Sequence, residues 1–578
     1  MVAPSASNTR GENMKRVPRG RGGRCLLALV AAIGVAAIVS SGAAGSRGDD
    51  QLAKINHIVV IYEENHSFDN LYGGWEGVNG LADADAAHTL QVNELGNTYH
   101  CLLQNDVNLT SPPLPADCAD TTVGSPAFVS HFLNAPFSIE AYIPKDARTC
   151  PQPGVFAPNG LLPSPSNLPG GCTRDMVHRF YQEQYQLNNG MQNRYTTGSD
   201  AVGLTQGYYD TKALPIYEYL HSGDHPHYAV ADDFFQSAFG GSFLNHQWLI
   251  AAATPIDTNL EHANQHSIID SNGMPTAYPL YTPTGPTLDR APLTQVCPSA
   301  VPNRACGDYA VNTIQPTYQP TSSNPVKLPP QTGTTIGDEL SAAGVSWAWY
   351  SGGWSNADGD VGAAGWTNGS VPGVCADPNS IPNPVWPYCP NKVFQYHHQP
   401  FNYYANFAPG TPGRTHLRDE AEFVSTVNDS GSTCKLNSVS FVKPIGLENE
   451  HPGYTSESRG SDHLVSLLQS IQASACAKDT MVIVTYDEFG GQWDHVSPPG
   501  QGGTAGPHDL WGPGTRIPAL VVSPFLRGNE VIDHTQYDTT SILKTIEDRY
   551  GVAPLSSRDA AVNSLSNVFA AKQYEATK

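Results

Sequence analysis

Short apolar runs rich in β-branched residues recur along the chain, and each stops abruptly on polar or acidic residues. Residues 481–484 (Met-Val-Ile-Val) form one, followed by Asp487, Glu488 and the breaker pair Gly490-Gly491. Residues 55–62 form another, followed by Glu63, Glu64, Asn65 and His66. A run that is apolar at nearly every position, rather than at alternate ones, predicts a strand buried on both faces, as in a parallel sheet. Residues 225–231, 345–350, 438–442 and 515–523 are read as further strands. Between them lie stretches read as helical at 175–187, 207–220, 243–253, 336–344, 416–427, 462–475 and 533–550. The alternation predicts an α/β fold, a mainly parallel sheet sandwiched by helices.

Long stretches without periodicity separate these segments. Those at about 81–169, 257–330 and 351–393 are read as insertions into one large domain spanning 47–556, with 557–578 as a C-terminal tail. Composition fits this reading: 54 Gly and 47 Pro against 15% charged residues imply many irregular loops around a regular core.

Lys15, Arg16, Arg19, Arg21 and Arg24 precede an apolar stretch at 25–39 and small residues at 40–46. This order predicts an export signal within residues 1–46, cleaved near Ala43 or Ala44, and hence a secreted or periplasmic protein. The apolar stretch is shorter than the roughly 20 residues of a membrane span, and no later span is visible. Cysteine usage agrees with export. Of the 11 Cys, Cys25 lies in the signal, and the even number left shows no close C-x-x-C metal pattern. Neighbouring residues give the expected disulfides: Cys101–Cys118, Cys150–Cys172, Cys297–Cys306, Cys375–Cys389 and Cys434–Cys476. Most lie in Pro/Gly-rich segments, where a crosslink restrains a loop.

The formal net charge of −22 argues against nucleic acid as a partner, because an acidic surface repels its phosphates. It also gives no attraction to anionic membranes. No G-x-G-x-x-G after a strand and no P-loop is present, so no nucleotide cofactor is expected.

Acids at the carboxyl ends of buried parallel strands sit where open α/β sheets bind their ligands. If 55–62 and 481–484 are neighbouring strands, Glu64 and Asn65 face Asp487 and Glu488. Paired acids repel, and a cation relieves that repulsion. An oxygen-rich set of this kind suits a hard divalent ion of the Ca²⁺, Mg²⁺ or Mn²⁺ class. Asp494 and His495 add further ligand types to the second stretch, while Asn65 or Ser67 can equally cap a helix. Gly240-Gly241 permit a tight turn ahead of a helix and put Ser242 at its start, where free N–H groups stabilise an anion. Ser242 is read there either as a metal-activated nucleophile or as a plain N-cap; Ser237 is the rival hydroxyl, without a Gly turn before it. His178, His397, His398 and His451 supply imidazoles. Adjacent histidines point apart on most backbones, so His397 and His398 are expected to divide into one site residue and one structural residue.

Together these strings resemble the signatures of the bacterial phosphoesterase family that includes phosphatidylcholine-type phospholipases C and acid phosphatases. IVVIYEENHSFDNLYG at 58–73 is similar to its opening motif, with His66 where arginine is usual. VTYDEFGGQWDHVSPP, GTRIPALVVSP, HHQPF, ENEHP and DHTQYDTTSILKTIE resemble its other segments, from about residue 55 to about 550. The resemblance implies an alkaline-phosphatase-like fold and a metal held by Glu64, Asn65, Ser242, Asp487 and Glu488. It implies that Ser242, in Gly-Gly-Ser-Phe-Leu-Asn-His, is the nucleophile, where the phospholipase branch carries threonine in a Gly-Pro-Thr-Asp-Pro-Asn-Arg string. It places His178, His397 or His398, and His451 near the phosphate. The expected reaction is phosphate-ester hydrolysis through a phosphoserine, with His451 or a neighbouring imidazole, protonated at mildly acidic pH, as proton donor. The serine string is closer to the acid-phosphatase branch, so a small phosphomonoester is the expected substrate, a phospholipid cleaved by phospholipase C action the alternative, and an inactive exported binding protein the reading from another class. The C/S-x-P-x-R string of sulfatases is absent.

Overall fold

The two runs that end on paired acids lie side by side at the middle of the main sheet. The computed structural model describes residues 47–102, 116–121, 128–141, 143–146, 157–158, 167–168, 176–199, 202–256, 281–288, 295–296, 305–306, 316–321, 327–367 and 394–575. Its strands are β1 (His57–Glu63), β2 (Tyr228–Ala231), β3 (Trp347–Ser351), β4 (Leu417–Asp419), β5 (Val439–Lys443), β6 (Thr480–Tyr486), β7 (Ala519–Val522) and β8 (Glu530–Asp533). They are ordered β4-β3-β5-β1-β6-β7-β2-β8. Every pairing is parallel except those of β7, which runs against both β6 and β2. The sheet is thus mixed but mostly parallel, as the apolar runs predict.

β6 is buried along its whole length and β1 everywhere but its first residue. Each Val or Ile removed from water there contributes roughly 1.5–3 kcal/mol, so these sequences stabilise central positions far more than edges. The helices used below are α1 (Phe180–Leu187), α2 (Ser242–Ala251), α3 (Ile336–Ala342), α4 (Glu420–Asn428), α5 (Glu457–Ala473), α6 (Thr540–Tyr550) and α7 (Ser557–Ala561). Their ends follow local chemistry. Thr335 and Asp338 form a capping box at α3, Ser456 caps α5, and Gly551 in the left-handed region ends α6.

Five expectations are corrected. The helix at 207–220 is confined to Pro215–Leu220, after the short strand Gly207–Tyr208 and a 3₁₀ turn at Thr211–Ala213. The helix at 533–550 begins at Thr540, because Asp533 is the last residue of β8. The helix at 175–187 begins only at Phe180, because Arg179 is extended, so His178 stands on the segment before it. The helix at 416–427 begins at Glu420; Leu417–Asp419 is the edge strand β4, and the Asp419 side chain caps the helix. Residues 557–575, read as part of a tail, pack into the domain: Leu565, Val568 and Phe569 are buried in the core. Arg558 is buried too, paired with Asp509 at 2.7 Å and Asp538 at 2.9 Å.

Cys101–Cys118 and Cys434–Cys476 are bonded. Each of the other three expected pairs includes a cysteine outside the described residues; most of the expected insertions at 257–330 and 351–393, part of that at 81–169 and the whole of residues 1–46 also lie outside them. Among the described residues no helix is long and apolar enough to cross a membrane.

Candidate active site

Parallel register sets the centre of the site. Glu63 pairs with Tyr486, so Glu64 and Asp487 leave the carboxyl ends of β1 and β6 side by side. Asn65 then turns the chain with φ 60°, a left-handed conformation that a short amide side chain tolerates. Its N–H donates to Asp487 Oδ1 at 3.3 Å, and the Glu488 N–H donates to the same oxygen at 2.8 Å. Gly490, at φ 64°, passes so close to Asn65 that a Cβ there would lie 2.3 Å from the Asn65 carbonyl oxygen. Its N–H donates to Glu488 Oε2 at 2.6 Å.

Ser242 arrives from the opposite side as the first residue of α2, after Gly241, which offers no capping side chain. Gly240 makes the turn at φ 91°, packed so tightly that a Cβ would lie 2.5 Å from the Phe180 nitrogen. Among the described residues the hydroxyl's hydrogen-bonding neighbours are oxygens: Ser242 Oγ lies 3.2 Å from Glu488 Oε1, 3.4 Å from Asn65 Oδ1 and 3.5 Å from Glu64 Oε2. Asp487 Oδ2, also buried, has no hydrogen-bond partner among the described residues. An orphaned carboxylate oxygen beside a ring of carboxylate, amide and hydroxyl oxygens fits a hard divalent cation, and Glu64, Asn65, Ser242, Asp487 and Glu488 are the residues that could hold it.

Imidazoles wall this centre. His178 Nε2 lies 3.5 Å from Glu488 Oε1, and His398 Nε2 lies 2.6 Å from Glu64 Oε1. The Asn65 amide donates to His451 Nε2 at 3.1 Å, while His451 Nδ1–H donates to the Pro452 carbonyl at 2.7 Å. His178 is fixed in the same way, its Nδ1–H donating to the Met176 carbonyl at 2.6 Å. Both rings therefore turn an Nε2 lone pair inward. His397 and His398 do not divide as the sequence suggests. The tight 3₁₀ turn Tyr396–His398 brings both rings to Glu64, their centroids 4.8 Å apart.

Burial and charge pull the groups apart. Asp487 is pushed up to about 8, by burial first and then by Glu64, and Glu488 is raised well above the carboxylate range by burial and Asp487. Burial opposes the charge on Glu64 as well, but Lys443 and His398 outweigh it and hold that carboxyl well below its usual range. Burial lowers His178, His397 and His398, and takes His451 down to about 3 against the pull of Glu64. The expectation of a protonated His451 at mildly acidic pH is thus corrected: desolvation keeps this imidazole neutral.

Asp494 and His495 stand apart from the centre. Asp494 faces Arg516 at 3.1 Å, and His495 Nδ1 lies 2.6 Å from Asp69 Oδ2, in a buried network that already contains its own cation. Sequence reasoning missed three residues of the site. Lys443 Nζ sits 2.6 Å from Glu64 Oε1. His246, one turn after Ser242, lies 3.6 Å from Asp487 Oδ2 through Nδ1. Glu183 on α1 anchors the Gly240 turn. Only Lys443 carried a usable signal, since it is the last residue of a buried strand and ends at the same edge as Glu64 and Asp487.

A phosphoesterase family model matches residues 55–553. Phospholipase C B of Mycobacterium tuberculosis (strain CDC 1551 / Oshkosh) is 24% identical over 553 residues, covering 90% of this chain and 78% of that protein. A non-hemolytic phospholipase C of Burkholderia pseudomallei (strain K96243) is 28% identical over 256 residues, covering 38% of this chain and 33% of that protein. Among solved structures, a protein in the alkaline phosphatase superfamily from Vibrio parahaemolyticus aligns with a TM-score of 0.22 and 12% identity, covering 63% of this chain and 66% of that one. With its family match running from the first central strand to beyond α6, this chain belongs to the phosphoesterase family, whose reaction is the hydrolysis of phosphoric ester bonds.

Proposed function

We propose that the protein is an exported, metal-dependent phosphoesterase that passes a phosphoryl group to Ser242 and then to water. The observation that carries this reading is the gathering of Glu64 Oε2, Asn65 Oδ1 and Glu488 Oε1 within 3.5 Å of one buried hydroxyl. A serine that merely caps a helix needs no such surroundings. A divalent ion of the Ca²⁺, Mg²⁺ or Mn²⁺ class, held by Glu64, Asn65, Ser242, Asp487 and Glu488, would lower the hydroxyl's pKa and neutralise phosphoryl oxygens.

Ser242 Oγ attacks phosphorus, the bond to the leaving oxygen breaks, and a phosphoserine results. The hydroxyl proton has an acceptor in Glu488 Oε1, 3.2 Å away. Backbone N–H groups at the start of α2 face the transferred anion. The inward Nε2 atom of His178 accepts a proton from the attacking water in the second step, while neutral His451 accepts from the Asn65 amide and holds it in place. The imidazole that has taken that proton returns it to a leaving oxygen in the next cycle. His397 and His398 close the wall on the Glu64 side.

Small phosphomonoesters are the preferred substrates, because Ser242 stands in the string that resembles the acid-phosphatase branch. Phospholipase C action on a choline-type phospholipid is the second reading, favoured by relatives of that name matching along most of the chain. The test is turnover of p-nitrophenyl phosphate, p-nitrophenylphosphorylcholine and phosphatidylcholine from pH 5 to 8, with and without chelator, by wild type and Ser242→Ala. Wild type should form an acid-stable phosphate on Ser242, seen by mass spectrometry. The variant should lose at least ~10³-fold in kcat, the scale of losing a covalent nucleophile, with unchanged circular dichroism. Full turnover by Ser242→Ala would refute the assignment.

A further inference from the structure

We propose that Lys443 is a positioning residue for Glu64: its ammonium clamps one oxygen of that carboxylate so that the other is presented to Ser242. The inference rests on the phosphoesterase reading above. Lys443 closes β5, the strand next to β1, and its side chain is fully buried. The ammonium group touches three consecutive residues. Nζ lies 2.6 Å from Glu64 Oε1, donates to the Glu63 carbonyl at 3.1 Å, and sits 5.4 Å from the centre of the Tyr62 ring.

A buried ammonium is costly unless paired, and the ion pair that this one makes among the described residues is with Glu64. The two oxygens of Glu64 therefore have different neighbours. Oε1 faces the Lys443 ammonium and the His398 imidazole, both 2.6 Å away. Oε2 faces Ser242 Oγ at 3.5 Å and His451 Nε2 at 3.7 Å. The last torsion of a glutamate is broad, so nothing intrinsic to Glu64 keeps this orientation.

The test uses Lys443→Met, close in length and uncharged, together with Glu64→Gln and the double variant, in the full chain. In metal-free protein the thermal midpoint is measured for all four forms. The loss caused by Lys443→Met should shrink at least twofold when Glu64 is already Gln, because the stranded carboxylate has gone. At saturating Mn²⁺, Lys443→Met should lose at least tenfold in kcat on p-nitrophenyl phosphate, with KM within threefold. If Lys443→Met fails to fold while the double variant folds, the coupling also stands. Additive losses, a kcat within twofold of wild type, or failure of both Lys443 variants to fold would overturn the proposal and make Lys443 a core residue. The metal-free cycle needs no turnover, so a wild type inactive on phosphate esters would remove the phosphoesterase reading while leaving the Lys443–Glu64 coupling to be judged by itself.

Discussion

Glu183 on α1 grips Gly240, the residue that turns the chain into Ser242. Its Oε2 accepts from the Gly240 N–H at 2.5 Å and from Gln236 Nε2 at 2.9 Å, while Oε1 accepts from the Thr515 N–H at 2.7 Å and Thr515 Oγ1 at 2.9 Å. Burial pushes this carboxyl up to about 8, and the Gly240 and Thr515 donors pull against it. Turn, α1 and the segment before β7 thus meet at one buried acid.

Glu183→Gln replaces one pair of acceptor sites with an amide NH₂ that opposes donors. A buried donor left without its acceptor costs about 1–3 kcal/mol, so a loss of about 2–4 kcal/mol is expected in urea denaturation. The variant should also lower kcat more than KM, because Ser242 shifts relative to Glu488 and Asn65. Wild-type stability and wild-type kcat together would mean that the grip on Gly240 does not matter.

Metal removal should weaken the fold as well as the reaction. Glu64, Asp487 and Glu488 converge in a buried space, and Asp487 is raised to about 8 there. A folded-state pKa raised above its unfolded value makes a contribution that is present below about pH 4 and lost as pH rises through about 8. Metal-free protein should therefore lose thermal stability across that window, and an ion that binds only the native state should restore it. At a hundredfold excess over Kd the restoration is about 2.7 kcal/mol. Thermal melts with chelator, then with Ca²⁺, Mg²⁺ or Mn²⁺ added back at pH 5 and pH 8, check this; identical melts in every condition would exclude an ion at this centre.

The sheet was legible because its signal is local. Continuous apolar runs such as 481–484 can hardly be anything but buried strands, and their acidic ends marked the edge where Glu64, Asn65, Asp487 and Glu488 gather. Ser242 was legible through the Gly-Gly turn before it. Lys443 was passed over although it ends a buried strand, because a lysine before a proline reads as surface until β5 is placed beside β1, and its partner Glu64 is hundreds of residues away. His178 was placed on a helix because residues 175–187 carry a helical pattern throughout, whereas the extended Arg179 delays the helix to Phe180. Asp494 and His495 share a stretch with Asp487 in sequence, and it takes Arg516 and Asp69 to show that they belong to a separate network.

His463 provides a second pH dependence, remote from Ser242 in sequence. It lies 2.7 Å from Glu420 and 3.8 Å from Glu448. Burial opposes its charge, but Glu420 and Glu448 outweigh burial and raise it to about 9. A histidine raised from an unfolded value of about 6.5 contributes stability that is complete below that value and lost as pH rises through about 9. The contribution is about 2–3 kcal/mol at pH 6. Thermal midpoints of wild type should fall between pH 6.5 and 9 more steeply than those of His463→Leu. Parallel curves for the two proteins would contradict the ion pair.

The Cys434–Cys476 disulfide should affect stability and activity differently. Cys434 precedes β5 and Cys476 precedes β6, so the bond ties together the amino ends of two strands that flank β1. Lys443 and Asp487 lie at the opposite, carboxyl ends, and a strand the length of β6 separates the two edges by roughly 20 Å at about 3.3 Å per residue. The bond closes a loop with a sequence separation of 42 residues. Chain-entropy reasoning assigns such a loop about 4 kcal/mol of stabilisation. Replacing both cysteines with serine should therefore lower the urea midpoint substantially, while kcat and KM measured well below the transition stay within twofold of wild type. A large loss of kcat in the still-folded variant would mean that strain at the amino edge reaches the Ser242 centre through β5 and β6, and the two edges would have to be treated as one mechanical unit.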